Sequence, residues 1–151
     1  MPNEPLPIKE FLDELDSQWN VPSDSATPPE PRIIEVTGET SDPLRFDLNV
    51  KDVVVGRAGN PAISEQPIGN WTYGDRSYNI DLEVHTLKDR QRLYNIVQEI
   101  RRICHARMHN LTNFQRIRFV SFQENTQEHV NIWTGIISIQ LENNSILLET
   151  T

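Results

Sequence analysis

The sequence contains a single cysteine, Cys104, so an internal disulfide is impossible and a zinc site has no cysteine set to build on. Long apolar runs are missing as well. No stretch approaches the roughly 20 residues that a membrane-spanning helix needs, and no membrane partner is expected. The start, Met1-Pro2-Asn3-Glu4-Pro5, has neither the basic residues nor the apolar run of a secretory signal. Positive charge is short: 14 Lys and Arg face 22 Asp and Glu, for a net charge of −8, whereas nucleic-acid binders lean the other way. Seven of the ten prolines lie before residue 32, which leaves the rest of the chain free to be regular. A hydrophobic fraction of 36% and a mean hydropathy of −0.54 are low for one compact domain, so part of the chain should be extended or laid on the surface. The 151 residues suit one domain rather than a multidomain enzyme. A chain of that length removes roughly 70% of its unfolded surface from water and needs no staple.

Apolar residues recur at helical spacing over 6–19. Ile8, Phe11, Leu12, Leu15 and Trp19 form one stripe, with Glu10, Asp13, Glu14 and Asp16 on the polar face. A helix this short is unstable alone, so it must dock. Residues 20–31, with Pro22, Pro28, Pro29 and Pro31, read as an extended tether. The expected organisation is an N-terminal helix and Pro-rich tether over 1–31, then an α+β domain over 32–151.

Beyond the tether the period changes to two. Ile33, Ile34 and Val36 open a short strand, and Leu44, Phe46, Leu48 and Val50 alternate with polar residues as a second. Val53, Val54 and Val55 lead to Gly56 and then to 57–75, a long loop or irregular hairpin arm rich in Gly and Pro. Tyr78, Ile80, Leu82 and Val84 alternate as a further strand. A helix is expected over 87–109, with Thr86 as N-cap and Asp89 in the capping-box position. Two strands follow. In the first, Ile117 and Phe119 face one way and Val120 and Phe122 the other. The second covers 130–141, after which Asn143-Asn144 signals a turn before a last short strand at Ile146, Leu147 and Leu148. The expected fold class is α+β: a mostly antiparallel sheet with one long helix and the N-terminal helix packed on it.

Charge is uneven. Residues 88–118 hold Lys88, Arg90, Arg92, Arg101, Arg102, Arg107, Arg116 and Arg118 against Asp89 and Glu99, a local +6 that leaves −14 elsewhere. An RNA-binding helix is one reading, with Phe119 and Phe122 as sparse stacking groups. The favoured reading pairs these arginines with acidic loops of a neighbouring subunit.

Reactive chemistry finds little support. His105 and His109 have the i, i+4 spacing of a metal pair, but no glutamate accompanies them and Arg107 would repel a cation. Cys104 with His85 or His105 matches a nucleophile pair in composition only, since Cys104 lies on the apolar stripe. Asp81 and Glu83 share a strand face as a solvated face would. Gly56-Arg57-Ala58-Gly59 has the G-x-x-G spacing of a KH clamp, but it follows a valine run where that fold needs a helix. No catalytic, cofactor or metal residues are assigned, and no enzyme activity or cofactor is expected.

The stretch Arg76 to Thr86, the Arg-studded helix from Asp89 to Met108, and the two strands ending in Trp133-Thr134-Gly135-Ile136-Ile137-Ser138-Ile139-Gln140 together resemble the tail-terminator (tail-completion, neck) proteins of tailed bacterial and archaeal viruses. The resemblance covers most of 6–148 and lies in size, element order and pattern. It implies a non-catalytic virion protein, assembled in the host cytoplasm as a homo-oligomeric ring, a hexamer. Such a ring ends the tail tube and joins it to the head. Its partners would be itself and the tail-tube and head-completion or connector proteins, with genomic DNA only as passing cargo in an acidic lumen. Another virion ring, such as a head-closure or tail-tube component, and a small nucleic-acid-binding domain are the alternatives. Candidate interface residues are Arg57, Ile63, Ile68, Trp71 and Tyr73 on the arm, whose Trp, Tyr and Arg are the usual interface anchors. Arg101, Arg102 and Arg107 on the basic helix complete the candidate set.

Overall fold

The N-terminal stripe becomes α1 (Pro7–Gln18), with proline at the first helical position, where its missing N–H costs nothing. This computed structural model describes residues 7–20, 27–35, 48, 50–68, 73–125 and 132–146. Phe11, Leu12 and Leu15 are buried, Ile8 is half-buried, and buried Trp19 donates its Nε1–H to the Pro28 carbonyl at 3.0 Å. Of the expected tether, residues 21–26 lie outside the described part.

Five strands form one sheet: β1 (Arg32–Glu35), β2 (Val53–Ile68), β3 (Tyr73–Thr86), β4 (Arg116–Glu124) and β5 (Trp133–Ile146). Their order is β1-β2-β3-β5-β4, and only the β1–β2 pair is parallel. The second helix, α2 (Arg90–Ala106), crosses from β3 to β4. Both helices bury their apolar stripes on one sheet face. Phe11, Leu15, Ile96, Ile100 and Ile103 meet Ile80, Leu82, Ile137, Ile139 and Leu141 in a single core. A smaller cluster, Val53, Val55, Leu48 and Ile132, closes one end of the opposite face. The architecture is α+β with a mostly antiparallel sheet.

Several expectations need correction. The N-cap of α2 is Asp89, whose carboxylate accepts the Arg92 N–H at 2.7 Å, and the helix ends at Ala106 rather than 109. Thr86 is the last residue of β3, and its hydroxyl donates to Asp52 at 2.6 Å. Asp52 belongs to a distant segment, so nothing local signals the contact. Leu48 and Val50 lie in turns that lead into β2, and 44–47 and 49 lie outside the described residues, as does Val36. Asn143 and Asn144 continue β5 opposite Arg76 and Asp75, because pairing with β3 overrides their turn preference. The strand therefore runs unbroken through Ile146, while Leu147 and Leu148 lie outside the described residues.

The two faces of β4 also differ from strict alternation. Its register slips between Phe119 and Ser121, where a bulge leaves Val120 unpaired and 44% exposed. The bulge restores phase, so Ile117, Phe119 and Phe122 all turn to the core against Leu141, Ile139 and Ile137.

Residues 57–75 belong to an irregular hairpin arm, the second of the two expected forms, and not to a long loop. β2 and β3 pair along the whole length, but the register jumps from Ala58 opposite Ile80 to Ile63 opposite Tyr78. Residues 59–62, with a cis Asn60–Pro61 peptide, stand against Asn79 alone. Asn79 Nδ2 donates to the Pro61 carbonyl at 2.8 Å and holds the bulge down. A Cβ on Gly59 would fall 2.7 Å from the Asn79 Cβ, so glycine is required by close approach. Gly56-Arg57-Ala58-Gly59 is thus strand and bulge, not a clamp between helices.

Gly135 has a similar role. A Cβ there would lie 2.3 Å from the Phe122 ring and 3.1 Å from the Gln123 carbonyl oxygen. Phe122 is held edge-on by Tyr94, so it has little room to yield. Gly135→Ala is expected to destabilise by about 1–3 kcal/mol through overpacking, read as a lower urea midpoint. Recovery in Gly135→Ala/Phe122→Leu would identify the ring as the cause.

Candidate subunit interface

The sheet face opposite the helices carries the polar half of each strand. Arg57, Asp81, Glu83, His85, Thr134, Ser138 and Gln140 lie there by register. Arg57 Nη2 meets Glu83 Oε1 at 2.8 Å. Glu83 Oε2 lies 3.4 Å from His85 Nε2, and His85 Nδ1 lies 3.0 Å from Thr134 Oγ1. The hydrogen bond from His85, then the Arg57 charge, hold the Glu83 carboxyl below its usual range. The four groups form a ladder across three strands. Further along the sheet, Glu142 pairs with Arg116 at 2.5 Å and approaches Arg118 at 3.9 Å.

The basic window meets acids of its own chain. Arg90 and the Tyr94 hydroxyl both bind Glu124 Oε2, at 3.0 and 2.7 Å. Arg92 meets Asp52 at 3.2 Å, and Arg107 meets Glu14 of α1 at 2.6 Å. Arg102 pairs with buried Glu99 and donates to the Gln18 carbonyl at the end of α1. Glu99 also accepts the N–H of Asn20, whose φ of 56° turns the chain out of the helix. The acids expected from a neighbouring subunit are thus supplied at Arg102 and Arg107 by this chain. Among the described residues, Lys88 and Arg101 have no carboxylate within 4.0 Å.

The candidate arm residues fall at one sheet extension. Arg57 lies at its base, Ile63 is 42% exposed, and Ile68 and Tyr73 pair at its far end; Trp71 lies outside the described residues. The arm and the basic helix are not brought together. The arm extends β2 and β3, while Arg101 is exposed on α2 one turn before His105, which lines a groove between α2 and β4.

The reactive pairings separate. Cys104 is buried on the sheet-facing side of α2, with its thiol pushed up to about 12 by burial, whereas His85 is on the other side of the sheet. His109 lies beyond the helix end and donates Nδ1–H to the Gln115 carbonyl at 3.0 Å, so it no longer stacks one turn above His105. Among the described residues no group of three His, Cys, Asp or Glu is placed to hold a metal, and no helix is long and apolar enough to cross a membrane. Sequence reading missed Asp52, Glu124 and Thr134, because each acquires its role from a partner at least 30 positions away. No protein-family model matches the chain, and no curated protein matches it.

Proposed function

We propose that the protein is a structural component of a virion, a tail terminator that forms a ring at the head–tail junction. The ring ends the tail tube and joins it to the head, with DNA passing through its lumen. The observation that carries this reading is the asymmetry of the sheet. Both helices cover one face, and the other, beyond the small cluster of Val53, Val55, Leu48 and Ile132, is a polar wall on which Arg57 and Arg116 are already held by carboxylates. Such a wall leaves little cationic charge for phosphates to grip and suits a surface past which DNA slides. The order of α1, three strands, α2 and two strands agrees with the resemblance drawn from the sequence.

The assembly is homo-oligomeric, with six copies expected from the family plan, and its partners are tail-tube and head-completion proteins. Native mass spectrometry of the purified chain should give a closed oligomer, and immuno-electron microscopy should place it at the neck of particles. A chain that stays monomeric at high concentration and is absent from the neck would overturn the reading.

A further inference from the structure

α1 and α2 divide the helix-covered face between them. α1 packs over β1 and β2, and α2 over β3, β5 and β4. Their outer flanks carry opposite charge. On α1, Asp13 and Asp16 are exposed, with Lys9 one turn before Asp13, and Asp16 is hydrogen-bonded to exposed Glu30 near Lys51. That carboxyl–carboxyl contact pushes Glu30 up to about 7, the mark of crowded negative charge.

The far flank of α2 is the reverse. Near its start the cation Arg90 is answered by Glu124. Three turns on, no acid answers Arg101 among the described residues, and His105 is exposed one turn later. Here α2 and β4 part to leave a groove of about 380 Å³, floored by Met108, Ile117 and Phe119 and rimmed by His105 and Arg118. Arg118 is 58% exposed and its Glu142 contact is long, at 3.9 Å. β1 and β4 are opposite edges of the sheet, so a subunit cannot close its own acidic flank onto its own groove.

We infer that the groove between α2 and β4 receives the acidic flank of α1 from a second copy of this chain. The contact joins two different surfaces, so it is heterologous and repeats head to tail, which closes a ring when the rotation allows. It rests on the ring reading and names the surfaces that would build it. Met108 and Phe119 supply apolar area, and Arg101 and His105, with Arg118 at the outer edge of β4, face Asp13 and Asp16 of the incoming helix and Glu30 beside it. Such a contact weakens with salt.

A charge exchange tests it. One full-length variant carries Asp13→Lys and Asp16→Lys, the other Arg101→Glu and Arg118→Glu. All four positions are exposed, and circular dichroism melts matching the natural chain verify folding. By sedimentation velocity each variant alone should assemble at least tenfold more weakly than the natural chain. An equimolar mixture should recover assembly, because each variant then meets a partner of opposite sign. Variants that assemble like the natural chain would overturn the docking and leave the ring standing. A natural chain that is monomeric throughout would overturn both. Normal assembly of the Arg101→Glu/Arg118→Glu variant, with loss of binding to a labelled duplex of about 20 base pairs, would assign the groove to DNA instead.

Discussion

Phe11→Ala should destabilise the protein by about 3–5 kcal/mol, the range for removing a buried aromatic ring. Phe11 is fully buried, and its neighbours Leu12 and Leu15 join it in the same core as the sheet and α2. Domains of this size hold about 5–15 kcal/mol in total, so the loss is a large share. At roughly 2–4 °C per kcal/mol, the melting temperature should fall by about 6–20 °C. The control is Asp13→Ala on the exposed face of the same helix, which should stay within about 0.5 kcal/mol of the natural chain. If the two variants melt alike, α1 is an appendage and not part of the core.

The second large effect is expected at the junction of the helices. Arg102→Met removes the guanidinium that answers Glu99, a carboxylate only 3% exposed, and leaves it partly answered by the Asn20 N–H. Stranding a buried charge costs about 3–5 kcal/mol, and the partial exposure of Arg102 places this case at the lower end. The Gln18 carbonyl loses its donor in the same step. Glu99→Gln added to Arg102→Met should recover part of the loss, since a neutral amide tolerates burial where an unpaired carboxylate does not. A double variant no more stable in urea than Arg102→Met alone would show that the loss comes from α1 capping and not from the stranded charge.

How far the sequence announced this structure depended on the distance over which each decision is made. α1 was legible to within a residue, because Ile8, Phe11, Leu12 and Leu15 set its period locally and Pro7 marks its first turn. β3 was legible for the same reason, through the alternation from Tyr78 to Val84. Thr86 was misplaced because Asp52, 34 positions away, takes its hydroxyl and leaves capping to Asp89. Gly and Pro between 57 and 75 correctly marked an irregularity, but the bulge that accommodates them is defined by Asn79 on the opposite strand. The basic window was visible as composition. Which of its members are spent inside the chain was not, since Arg107 finds Glu14 across 93 positions and Arg90 finds Glu124 across 34.

The slipped register at Val120 has a consequence for how copies of this chain can meet. A strand laid along the outer edge of β4 would match its hydrogen-bonding groups on one side of the bulge and miss them on the other. Arg116 and Arg118 on the same strand discourage an apolar newcomer, as edge charges commonly do. Sheet growth is therefore arrested on this side at the level of the main chain. Copies can touch here through side chains, in a contact that is countable and reversible, without the endless backbone pairing that leads to fibres.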